Sequence, residues 1–198
     1  YALFRSPFVL DTVPQKAVLY ITADQYYRLY VNGKFICKGP ARGYQKSWPY
    51  DEVDIAPYLQ KGKNTIAVRA YNAGRDTFGY ISEGWAGVIY GVDLGGGKKI
   101  LTNSKTKCVR EEWCDKDTVP YSMQLNNQEH IDMRKAPTEA WKFYDFDDSK
   151  WVVSDNEGIW NKMPYYTFEP RFTPFEEWKI IESPKLIGEN SGKTFSED

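Results

Sequence analysis

The 198-residue chain has a single histidine, His130, and only three cysteines. One histidine leaves one candidate for any Ser-His-Asp, Cys-His or His-bearing zinc centre, and no nucleophile-elbow motif accompanies it. The cysteines, Cys37, Cys108 and Cys114, form no Cys-x-x-Cys pair. A Cys108–Cys114 disulfide is open in an oxidising compartment, but buried free thiols are the favoured expectation. An excess of one charge is also missing. The 26 Lys and Arg balance 27 Asp and Glu, for a formal net charge of −1. Nucleic-acid binding needs surplus cations to neutralise phosphate, so no nucleic-acid partner is expected. The longest apolar run is Ala17–Ile21, far short of the ~20 residues of a spanning helix, so no membrane partner is expected either. No signal-peptide pattern is visible. Leu and Ala number only 9 and 11, which argues against a helical bundle.

Aromatic and β-branched residues are plentiful. Tyr, Trp and Phe number 15, 7 and 10, and Val, Ile and Thr add further strand preference. The length fits one large domain. The first residue is Tyr1 rather than Met, and the chain is expected to be a segment of a longer protein.

Short strands separated by turn residues fill the first hundred positions. Tyr27, Leu29 and Val31 alternate with Arg28 and Tyr30, which predicts one buried and one solvated face. Asn32-Gly33 follows, the dipeptide favoured by type I′ hairpins, and Lys34–Lys38 returns. Residues 39–50 hold two glycines and two prolines and read as an irregular loop. Tyr50–Ile55 resumes a strand, Ala56–Leu59 reads as one helical turn, and Ile66, Val68 and Ala70 alternate with Thr65, Ala67 and Arg69. A second loop runs from Tyr71 to Trp85. Val88–Leu94 and Lys99–Leu101 are further strands. Eight or so short strands at near-regular spacing imply an all-β, antiparallel β-sandwich. Beyond about residue 115, prolines interrupt a polar, aromatic-rich stretch, read as long excursions and final strands on the same sandwich. Gly188–Asp198 is polar enough to be disordered.

These residues resemble a known family. Tyr27-Arg28-Leu29-Tyr30-Val31-Asn32-Gly33-Lys34 is similar to the opening hairpin of the galactose-binding-like jelly rolls carried by many glycosidases. Asp54-Ile55, Tyr58-Leu59 and Gly62-Lys63-Asn64-Thr65-Ile66-Ala67-Val68 resemble their second signature. Three narrower stretches are similar to the N-terminal region of bacterial α-L-rhamnosidases: Gly39-Pro40-Ala41-Arg42 with Tyr44, Phe146-Asp147-Asp148-Ser149-Lys150-Trp151, and Pro170-Arg171-Phe172-Thr173-Pro174. The resemblance covers about residues 4–180. It implies a jelly-roll β-sandwich over 1–175, with 176–198 as a C-terminal extension or linker toward a catalytic (α/α)6 barrel of the same parent chain. It further implies a non-catalytic carbohydrate-binding or accessory domain engaging rhamnose-containing oligo- or polysaccharides. The alternative is a purely architectural support for the barrel. Some sandwiches of the family bind rhamnose with a calcium ion, so Ca2+ is the one cofactor in view. An extracellular or periplasmic bacterial location is the corresponding expectation.

Sugar sites combine aromatic platforms with polar side chains that hydrogen-bond hydroxyls. The 39–50 loop offers Arg42, Tyr44, Trp48 and Tyr50, and the 71–85 loop offers Asn72, Arg75 and Trp85. Loops at one end of a sandwich cluster, so these seven residues are the candidate carbohydrate contacts. Equally, the aromatics plug the sandwich end or seat it on the barrel, and Arg42 pairs with Asp51 or Glu52. Glycoside hydrolysis needs two facing carboxylates. The clusters Asp51/Glu52/Asp54 and Asp145/Asp147/Asp148 show no means of raising one pKa, so no catalytic residue is expected.

Overall fold

The computed structural model describes residues 1–44, 46–82, 86–103, 105–125, 127–153, 167–177 and 179. Eleven strands lie among these residues: β1 Ala2–Leu10, β2 Val18–Asp24, β3 Tyr26–Val31, β4 Lys34–Gly39, β5 Trp48–Asp54, β6 Gly62–Tyr71, β7 Gly87–Asp93, β8 Lys99–Leu101, β9 Lys107–Arg110, β10 Val152–Val153 and β11 Phe168–Pro170. They form a six-stranded sheet, β10-β9-β1-β6-β3-β4, and a five-stranded sheet, β11-β5-β2-β7-β8. The β-sandwich is therefore the one expected, with one departure from antiparallel order: β11 pairs with β5 in parallel.

Alternation builds the core. Tyr27, Leu29 and Val31 on β3 and Ile66 and Val68 on β6 face Leu19, Ile21, Tyr90 and Val92 of the opposite sheet. Burying such side chains stabilises by roughly 1.5–3 kcal/mol each. The hairpin between β3 and β4 forms as read, with Asn32 and Gly33 at φ 49° and 81°, the two positive values a type I′ turn requires. The single helical turn appears as a 3-10 turn over Ala56–Tyr58.

Hydrogen bonds join the two glycosidase-like signatures. The Asn32 amide donates to Tyr58 O and Asn64 Oδ1, both at 2.9 Å, while Asn32 Oδ1 accepts from Thr65 N at 2.8 Å. Asn64, fully buried, donates in turn to Gln60 O at 2.7 Å and Gly62 O at 2.9 Å. Each side chain supplies partners that a buried turn would otherwise lack.

The expectation of a solvated outer face on β3 holds only in part. Tyr30 is buried in a second, smaller core with Leu3, Ala67 and Trp141, bordered by Val109, Trp113, Phe146 and Trp151. Residues 139–151, from the 3-10 turn Glu139–Lys142 to the edge of β10, lie over that half of the six-stranded sheet. Gly33 sits beneath this cover, and a Cβ there would run into the Phe143 ring. Gly188–Asp198 lies outside the described residues.

Candidate functional site

The register of the six-stranded sheet sorts its outer face into rows. One row opposes Arg5 on β1 to Ala67 on β6 and Ala67 to Tyr30 on β3. The 139–151 segment covers this row. Arg5, 1% exposed, donates from Nε to Trp141 O at 3.1 Å, and from Nη1 and Nη2 to Phe146 O at 3.2 Å and Phe143 O at 2.6 Å. Its charge is met by the Asp148 carboxylate.

The next rows are open. Arg69 on β6 opposes Arg28 on β3, and Arg28 opposes Lys38 on β4. Beyond them Tyr71 opposes Tyr26, their rings stacked at 6.3 Å and 12°. The Tyr1 ring completes the tyrosine row, 4.8 Å from Tyr71. These rows line a cleft of about 520 Å³, to which Arg42, Arg171 and Glu176 also contribute.

Two of its arginines are locked from below. Arg69 donates to both Glu111 oxygens at 2.6 and 2.7 Å, and its guanidinium lies 4.1 Å from the Tyr1 ring centroid. Burial works against its charge, but Glu111 overrides this and raises its pKa further above the ordinary arginine value. Arg171 donates to Asp51 at 2.5 and 3.1 Å. Tyr27 hydroxyl also donates to Asp51, so burial and that anion hold the phenol far above its usual pKa. Gly39 makes room for this buried network, since a Cβ there would collide with Asp51 and crowd Tyr27 and Arg171. The Tyr1 hydroxyl donates to Glu129 at the mouth of the cleft, and burial followed by that bond raises its pKa.

The candidate residues from the two loops meet different ends. The loops do converge: Arg42 packs against Gly79, and Trp48 sits edge-on to Tyr80 at 6.4 Å. Arg42 lines the cleft. It does not pair with Asp51, whose partner is Arg171. Trp48 is corrected from platform to core. It is 3% exposed, and its indole Nε1 donates to Thr22 Oγ1 at 3.0 Å. Tyr44 is 78% exposed and is not among the cleft's lining residues. Tyr50 lies in the five-stranded sheet, its ring 6.0 Å from Tyr20 and its hydroxyl donating to Glu52 at 3.3 Å. Asn72 ties the loop down, donating to Asp24 Oδ1 at 3.0 Å and accepting from Gly74 N at 2.6 Å. Arg75 donates to Asn127 Oδ1. Trp85 lies outside the described residues.

Structural roles occupy the acidic clusters. Asp54 accepts from the backbone N–H groups of Ala17 and Ala56 at 3.0 and 3.1 Å, which lowers its pKa. Asp145 pairs with Lys63, Asp148 with Arg5, and Asp147 caps Ser149 N at 3.0 Å. Among the described residues no group of three His, Cys, Asp or Glu side chains is placed to hold a metal ion. The three thiols are free, Cys37 buried and Cys114 donating to Glu111 Oε2 at 3.2 Å. Burial pushes Cys37 and Cys114 up to about 11 each.

Local sequence pattern does not mark Tyr26, Arg28 and Arg69 as cleft residues, because each reads as an ordinary outward strand position. Only the register between non-consecutive strands aligns them. Two stacked sheets with an aromatic, cation-lined cleft on one outer face define a β-sandwich module. The model of the α-L-rhamnosidase N-terminal domain matches residues 12–171, and the chain belongs to that family. An α-L-rhamnosidase of Streptomyces avermitilis is 25% identical over 155 residues, which cover 78% of this chain and 12% of that enzyme. The crystal structure of a GH78 family rhamnosidase of Bacillus sp. GL1 aligns with TM-score 0.80 and 31% identity, over 88% of this chain and 18% of that one. A Pleurotus ostreatus lectin solved with GalNAc shares the fold alone, at TM-score 0.56 and 16% identity, over 87% of this chain and 42% of the lectin. The chain thus spans a small fraction of the rhamnosidases it matches.

Proposed function

We propose that this is a non-catalytic carbohydrate-binding domain of an α-L-rhamnosidase-like glycoside hydrolase, engaging rhamnose-containing glycans through the open cleft. The juxtaposition of Tyr1, Tyr26 and Tyr71 with Arg28 carries the reading. Tyrosine rings accept the apolar face of a pyranose, and guanidinium N–H groups donate to its oxygens. The cleft's carboxylates support a non-catalytic role. Glu129 accepts from Tyr1 and Glu176 pairs with Lys38 at 2.9 Å, whereas hydrolysis needs two carboxylates facing each other across a glycosidic bond. Rhamnosyl hydrolysis then falls to the (α/α)6 barrel of the parent chain, at an extracellular or periplasmic location in a bacterium.

Titration calorimetry with L-rhamnose and a rhamnose-terminated oligosaccharide tests this. Millimolar or tighter binding is expected, unaffected by chelator because the acidic clusters serve other partners. Tyr26→Ala should abolish it without moving the thermal midpoint. Flat traces with the unaltered chain would overturn the reading.

A second reading rests on a different surface. Phe78 and Met123 are 71% and 80% exposed on two loops joined by the Arg75–Asn127 bond. Exposed apolar side chains of this kind favour contact with another protein surface, here the rest of the parent chain. Under a purely architectural role, Phe78→Ser with Met123→Ser would weaken association with the barrel and leave glycan binding intact.

A further inference from the structure

We infer that the open cleft is built for an acidic glycan, in which a carboxylate- or sulfate-bearing sugar accompanies rhamnose. This rests on the sugar-binding reading and narrows its ligand class.

Lys38, Arg28 and Arg69 stand directly opposite one another on β4, β3 and β6. Neighbouring strands are about 4.8 Å apart, and like charges facing each other across them are destabilising. A sheet face with no ligand to bind gains nothing from such a row. Its two outer members carry their own counter-ions: Lys38 has Glu176 at 2.9 Å and Arg69 has Glu111 at 2.6 Å. The central Arg28 is exposed. Among the described residues, no carboxylate lies within 4.0 Å of Arg28, nor of Arg42 across the cleft. The chain as a whole is close to neutral, at −1, so the exposed charges of Arg28 and Arg42 in the cleft are not part of a general basic excess.

A neutral sugar does not call for such an arrangement. Hydroxyls are served equally by uncharged amides, whereas the guanidinium fork matches the paired oxygens of a carboxylate or sulfate. The tyrosine and cation rows lie two residues apart along β3, about 7 Å. A pyranose seated on Tyr26 and Tyr71 therefore brings the anionic group of the adjoining sugar to Arg28. Water-exposed guanidinium groups at the mouth also steer an anion inward.

Calorimetry on this chain with three probes tests the inference. They are an oligosaccharide alternating L-rhamnose with galacturonate, the same oligosaccharide with its carboxyls reduced to alcohols, and a sulfated rhamno-oligosaccharide. At least one acidic probe should bind about tenfold tighter than the reduced one, and the tighter of the two identifies the anionic group. The margin should shrink between about 50 and about 300 mM NaCl as screening grows. Arg28→Ala should erase the preference and leave the thermal midpoint unchanged or slightly raised, because it relieves like-charge contact. Arg28→Gln is the more conservative check, with the same expectation. Equal affinity for acidic and reduced probes would overturn the inference while leaving sugar binding intact. Absence of binding by all three would overturn both. A preference that survives both Arg28 substitutions would refute the assignment to the cation row's centre.

Discussion

On the same face of one sheet, two arginines about 12 Å apart by strand spacing and register meet opposite fates. Arg5 is buried beneath residues 139–151 and surrounded by backbone carbonyls and Asp148. Arg28, on a neighbouring row, is exposed and faces the cleft. Both stand at outward positions of regular strands. The difference is made by a segment more than a hundred residues distant, which lies across one half of the face and leaves the other open. A buried, fully partnered arginine is a fastening for that cover. An exposed arginine between two other cations is a position suited to a ligand.

The strongest way to break this comparison is Arg5→Ala. It strands a carboxylate and several carbonyls under the cover, and it should cost about 4 kcal/mol, read as a lower denaturant midpoint. A loss below about 1 kcal/mol would mean that the covered half is not fastened there. Trp48→Ala comes next, at about 3 kcal/mol for an emptied core position. Its midpoint should fall clearly, in contrast to Tyr26→Ala. An unchanged midpoint with lost glycan affinity would return Trp48 to the site.

The contrast between Arg5 and Arg28 also measures how much the sequence disclosed. The Asn32-Gly33 hairpin, the alternating β3 and β6 and the turn at residues 56–58 were readable because local chemistry decides them. β1 was not singled out: Arg5 and Pro7 break its apolar alternation, and Arg5 is explained only by the distant cover. Trp48 reads as loop because prolines and glycines crowd residues 39–50, Pro49 immediately after it. The strand begins there because β11 arrives in parallel and pairs Phe168 with Trp48. Two of the three rhamnosidase-like stretches, 39–42 and 170–174, line the cleft, and all three supply fastenings around it or the core. Asp148 holds Arg5, Arg171 holds Asp51, and Gly39 leaves the latter pair its space. Of the six candidate sugar contacts among the described residues, Arg42 alone lines the cleft. Tyr26, Arg28, Arg69 and Tyr71 depend instead on cross-strand register, which no local pattern reveals.

The thiols give the smallest effect. Cys37 and Cys114 are pushed up to about 11, so their thiolate fraction at pH 8 lies below that of a free cysteine. Reaction with a disulfide reagent should be slow at pH 8 and accelerate toward pH 11. All three thiols should titrate once the chain is unfolded without reductant. A single reactive thiol would instead reveal a Cys108–Cys114 disulfide.

The most direct test of the open half as the binding surface is amide chemical-shift mapping with the rhamnose–galacturonate oligosaccharide. Perturbations should cluster at Tyr26, Arg28, Arg69, Tyr71 and Arg42, with Arg5 and Tyr30 beneath the cover unmoved. Perturbations confined to Tyr44, Tyr50 and Phe78, or none at saturating ligand, would contradict it.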